Sequence, residues 1–100
     1  MTLGQKIREL RERNQMLQRE LASKLEVGDG YLSKIERDQK IIKREHLKTL
    51  SNIFKCPLKE LEALWIATKI YDIVKYEETG LEALRVAEEQ INYNKTYAKI

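Results

Sequence analysis

The stretch Leu17–Glu36, LQRELASKLEVGDGYLSKIE, decides the fold. Leu21, Ala22 and Leu25 recur at helical spacing, and they predict a short helix over about Gln18 to Leu25. Val27, Gly28, Asp29 and Gly30 then break the pattern, and the glycines predict a tight turn or a close backbone approach. A second short helix follows over about Asp29 to Arg37, with Leu32 and Ile35 pointing inward. Ser23 and Glu26 match a capping spacing, but they lie within the first apolar stripe and mark no helix start. Leu21, Ala22, Leu25, Val27, Leu32 and Ile35 can close against one another, which leaves the outer side of the second helix protruding. A protruding helix fits the major groove of DNA, although a plain helical hairpin has a similar apolar pattern.

Periodicity continues on both sides. Thr2 and Gln5 predict a capping box for a first helix, with Ile7 and Leu10 inward and an end near Asn14, a residue that tolerates the left-handed conformation. Asp38 to Lys43 reads as a loop, despite Ile41 and Ile42. A fourth helix is expected over Arg44 to Phe54, its core face made of Leu47, Leu50, Ile53 and Phe54. Pro57 suits the first position of a long fifth helix reaching Lys75. Leu58, Leu61, Leu64, Trp65, Thr68 and Tyr71 trace one side of that helix, and Ile66, Ile70 and Ile73 trace another. Two apolar sides require a partner helix, from this chain or from a second copy. Thr79 and Glu82 predict a capping box for a sixth helix, Gly80 to Ile91, with Leu81, Leu84, Ala87 and Ile91 in register and a frayed tail after Asn92.

Composition bounds the function. The 100 residues carry 19 basic and 16 acidic side chains, a net charge of +3, and they suffice for one small domain with an extension. Residues 1–55 hold 13 basic and 8 acidic groups, and residues 56–100 hold 6 and 8. The front half can attract a polyanion, though a merely solvated surface shows the same split. Cys56 is the single cysteine, so an internal disulfide is excluded and a reducing cytoplasm is the natural setting. No apolar run has the length of a membrane span, and the charged start, Met1 to Arg13, lacks the apolar core of a signal peptide.

Nothing points to catalysis. His46 is the sole histidine and reads as a face or cap residue of the fourth helix. Cys56 has no partner spaced as a metal ligand or general base, and it reads as a packing residue before Pro57. Glu77–Glu78 and Glu88–Glu89 are ordinary helix-surface pairs, and Gly28-x-Gly30 is too short for a nucleotide fingerprint. No enzyme activity, cofactor, metal or small-molecule ligand is expected.

The segments IRELRERN (7–14), LQRELASKLEV (17–27), YLSKIER (31–37) and HLKTLSNIFKCPLKEL (46–61), in this order, resemble the helix-turn-helix domain of phage repressors and Cro, the XRE family. Within it the chain also resembles controller proteins of restriction–modification systems. The resemblance implies an all-α, five-helix, lambda-repressor-like domain, here with a long fifth helix and an additional C-terminal helix. It implies residues 1–64 as the DNA-binding domain and 65–100 as a helical extension that pairs two chains. The implied function is sequence-specific binding of double-stranded DNA by a homodimer at a palindromic operator. The alternatives are an antitoxin, or an interaction module whose C-terminal helices hold another protein.

Carried over by position, Asp29, Gly30, Ser33 and Lys34 would read bases. Gln18, Arg19, Gly28, Tyr31, Arg37, Lys40, Lys43 and Arg44 would meet the DNA backbone. Arg11 and Glu36 match a family pair that joins the first helix to the third, with a geometric role. Trp65, Ile66, Ile70, Tyr71, Ile73, Val74 and Leu84 are the expected dimer surface, because large aromatic and branched side chains favour interface cores. The chain departs from the family in two ways. Gly30 has no side chain at a position that often reads bases, and Arg37–Asp38 stand where a glycine is common. Asp29 is repelled by phosphate, yet it can accept from cytosine N4. Lys40, Lys43 and Arg44 either grip phosphates or form a solvated charge run. Tyr31 either touches DNA or packs half-buried.

Overall fold

The computed structural model describes residues 1–97, and these contain six helices and no strand. They are α1 (Leu3–Arg13), α2 (Gln18–Leu25), α3 (Asp29–Glu36), α4 (His46–Phe54), α5 (Leu58–Val74) and α6 (Gly80–Tyr97). The chain divides into two compact units, Met1–Thr68 and a second that begins at Lys69.

The first unit holds the core. Leu3, Ile7 and Leu10 of α1 meet Leu21, Ala22 and Leu25 of α2, Leu32 and Ile35 of α3, Leu47 and Leu50 of α4, and Leu61 of α5. Each of these side chains lies on the inward stripe of its helix, and burial of each leucine or isoleucine contributes roughly 1.5–3 kcal/mol. Ile42, from the expected loop, is also buried at 1% exposure, so the loop contributes to the core. Val27, Ile53 and Phe54 are only half-buried at its margin.

Local chemistry sets the helix ends. Thr2 Oγ1 accepts from Gln5 N at 3.1 Å and Gln5 Oε1 accepts from Thr2 N at 2.9 Å, which completes the predicted capping box. Leu17 has no side-chain acceptor, so α2 has only the return half, Leu17 N donating to Glu20 Oε1 at 3.0 Å. α4 starts at His46 rather than Arg44. The preceding turn is tighter, with His46 N donating to Lys43 O and Leu47 N to Arg44 O, both at 3.0 Å.

The turns differ from the sequence expectation. The left-handed residues are Gln15 (φ 54°), Glu26 (φ 58°), Asp38 (φ 61°) and Lys55 (φ 52°). Asn14, at φ −94°, does not adopt that conformation. Glu26, rather than a glycine, makes the reversal between α2 and α3, while Gly28 caps α3 at φ −75° and Gly30 lies inside it.

α5 and α6 also differ at their ends. α5 starts at Leu58 rather than at the expected Pro57, whose carbonyl accepts from Glu60 N and Leu61 N. Trp65, just past the expected boundary at residue 64, packs against the first core, with its indole Nε1 donating to Ile42 O at 2.8 Å. The tail expected to fray after Asn92 is helical through Tyr97, since no glycine or proline interrupts it; residues 98–100 lie outside the described residues. In the second unit, Gly80 is buried, and a Cβ there would stand 2.8 Å from Val74 O. The side chains of residues 81–95 are all exposed.

Candidate nucleic-acid interface

The candidate interface is the outer side of α3 with the segment that follows it. Asp29, Gly30 and Lys34 are exposed, and Ser33 and Tyr31 are half-buried. A Cβ at Gly28 or Gly30 would meet nothing within 4 Å, so the start of α3 is open backbone. Arg19, on α2, is exposed as well.

A buried ionic network holds α3 in place. Arg11 Nε and Nη2 donate to Glu36 Oε2 and Oε1 at 2.7 and 3.0 Å, and Arg11 Nη1 donates to Met16 O at 2.8 Å. Gln18 Nε2 donates to Glu36 Oε1 at 3.0 Å, so α1, α2 and α3 meet at one carboxylate. The hydrogen bond to Glu36 raises the Arg11 pKa above its already high value. Arg11 and Glu36 are thus the structural pair the sequence predicted, and Gln18 braces the end of α3. A satisfied bidentate pair fixes geometry more than it adds net stability.

Asp38 adds a second brace that sequence reasoning missed. Its carboxylate accepts from Thr2 Oγ1 at 2.7 Å and from Gly4 N at 3.2 Å. The departure from the family's glycine is thereby explained. Asp38 takes the left-handed conformation a glycine would suit, and its side chain also ties the segment after α3 to the start of α1. The only local signal was the identity of the residue, because Thr2 is 36 positions away.

The basic residues after α3 separate into distinct settings. Lys40 Nζ lies 5.6 Å from the Tyr31 ring centroid. Lys43 is exposed and shares a concave cleft with Tyr31, Val27, Glu45 and His46. Arg44 turns toward α5, with its guanidinium 5.2 Å from the Trp65 ring centroid and Nη2 3.4 Å from Glu62 Oε2. Arg37 is exposed, and its Nε donates to Ser33 O at 3.3 Å. Lys40 and Lys43 are therefore brought beside Tyr31 of α3, whereas Arg44 is engaged elsewhere.

On α5, Ile66 is exposed and Trp65 is half-buried in the first unit. In the second unit Ile70 is 39%, Tyr71 63%, Ile73 73% and Leu84 37% exposed, and Val74 is half-buried. Cys56 is buried, and burial raises its thiol pKa. Among the described residues no helix is long and apolar enough to cross a membrane.

A small α3 presented by α2 across a tight turn, with an open N-terminal face, is the architecture of a DNA-binding helix-turn-helix. The helix-turn-helix family model matches residues 7–61, more than half of the chain, and the chain belongs to this family of XRE-like DNA-binding regulators. That family is regulatory rather than enzymatic. Neither the curated proteins nor the solved structures returned a match.

Proposed function

We propose that the protein is a sequence-specific transcriptional regulator that binds a palindromic operator as a homodimer. It controls transcription by occupying a promoter. Asp29, Gly30, Ser33 and Lys34 face the bases, and Gln18, Arg19, Gly28, Tyr31, Arg37, Lys40 and Lys43 face the DNA backbone. The observation that carries this reading is the open start of α3, where Gly28 and Gly30 leave free space and Asp29 and Lys34 are exposed.

Residues of the second unit hold the two chains together in this reading. Ile70, Tyr71 and Ile73 expose large apolar surface on α5, as does Leu84 on α6, with Ile66 one turn earlier on α5. Leu81, Val86 and Ile91 of α6 are exposed, and uncovered apolar surface of this kind supports a second chain there. Two half-sites about one DNA turn apart, roughly 34 Å, then bind with linked contacts.

The same exposed helices support a second reading, in which they hold a different protein, such as a toxin. Co-purification of a second polypeptide in fixed ratio distinguishes the two. The principal experiment compares binding to DNA upstream of the gene with random DNA of equal length, at fixed salt near physiological strength. A preference of about 100-fold or more, with two chains per site, is expected. Equal weak binding to both overturns the local-operator reading. Replacing Lys34 shifts base preference, whereas replacing Lys43 weakens binding to all DNA alike.

A further inference from the structure

We infer that Trp65, Arg44 and Glu62 form a clamp that positions the α3–α4 loop, so that Lys43 is presented to a DNA phosphate while Arg44 itself makes no phosphate contact. The inference rests on the DNA-binding reading above.

The loop is pinned on both sides of Lys43. On one side, the Ile42 side chain is buried in the core at 1% exposure, and its carbonyl accepts from Trp65 Nε1 at 2.8 Å. On the other, the Arg44 guanidinium sits over the Trp65 ring, 5.2 Å from its centroid, and reaches Glu62 at 3.4 Å. Lys43 between them is exposed to solvent, and Arg44, though engaged, keeps its side chain 54% exposed. Fixing residues 42 and 44 removes most of the backbone freedom of residue 43. A loop that is ordered before binding avoids the entropy cost of being ordered by its ligand, a cost of about 5- to 30-fold in affinity per residue fixed. Arg44, by contrast, is turned toward Glu62 and the Trp65 ring, so in this reading its charge is spent on holding the loop.

The test measures DNA affinity against salt concentration for the full chain and four variants. The slope of log K against log salt counts phosphate contacts. Lys43→Gln is expected to lower that slope by about one, the loss of one direct contact. Arg44→Gln and Trp65→Phe are expected to weaken binding about 3- to 10-fold at unchanged slope, the signature of a lost positioning contact. Glu62→Gln carries the decisive sign. Removing an acidic charge ordinarily strengthens attraction to a polyanion. The clamp requires the opposite, a loss of about 3-fold at unchanged slope. Glu62 lies at the rim of the first unit, so this variant stays informative if Trp65→Phe impairs folding. Tighter binding by Glu62→Gln, or a slope lowered by about one in Arg44→Gln, overturns the clamp. Wild-type protein without salt-dependent DNA binding overturns the DNA-binding reading and the clamp with it.

Discussion

Replacing Arg11 by methionine tests how the Glu36 carboxylate is held. That carboxylate is buried, with its side chain 2% exposed, and it accepts from Arg11 Nε, Arg11 Nη2 and Gln18 Nε2. Methionine matches the Arg11 stem, but it removes two of those donors and the balancing charge. It also removes the donor to Met16 O. Breaking one side of a buried pair costs about 3–5 kcal/mol. Arg11 is itself 12% exposed, so water can reach part of the site, and we expect the lower end, about 3 kcal/mol. For a domain of this size that is a fall of about 12–24 °C in Tm. Arg11→Met with Glu36→Met leaves no buried charge, and most of the loss is expected to return, to within about 1 kcal/mol of wild type. Urea unfolding followed by Trp65 fluorescence reports the first unit directly, since Trp65 is the only tryptophan. A loss below about 1 kcal/mol in Arg11→Met, or a double variant no more stable than the single, refutes the reasoning.

Other perturbations test separate links. Gly4→Ala places a Cβ against Ile35 O and 2.5 Å from Asp38 Oδ1, and is expected to destabilise by about 1–3 kcal/mol in the same urea assay. Glu26→Gly relieves a left-handed residue at φ 58° and is expected to raise stability by about 0.5–1 kcal/mol; a loss would count against strain at that turn. Burial raises the Cys56 thiol above 9.0, and the Glu60 hydrogen bond raises Lys6 above 10.5. Both groups hold their protons longer when folded, so their stabilisation is complete below those values and is lost as pH rises past them. Urea midpoints at pH 8 and 10 are expected to show a fall that is smaller in Cys56→Ala. Ile73→Glu places a charge on the exposed α5 surface and is expected to shift sedimentation from dimer to monomer, with at least a ~10-fold loss of operator affinity.

Sequence by itself determined the helices and the class of protein. The i, i+3, i+4 stripes of Leu21–Leu25 and Leu32–Ile35 are local, and so is the Thr2–Gln5 cap. Each is set by covalent neighbours and needs no knowledge of the fold. The exposed side of α3 was legible for the same reason, because burying Leu32 and Ile35 leaves Asp29, Gly30 and Lys34 outside. Tertiary structure decided what the polar side chains do. Asp38 meets Gly4 across 34 positions, and Trp65 meets Ile42 across 23. Separations of that length carry no periodic signal, so the sequence assigned Arg44 to phosphate and Trp65 to a dimer surface, while the fold joins the two. It also moved the reversal before α3 from Gly28 to Glu26, because core packing of Leu25 and Leu32 can outweigh the small strain of one left-handed residue.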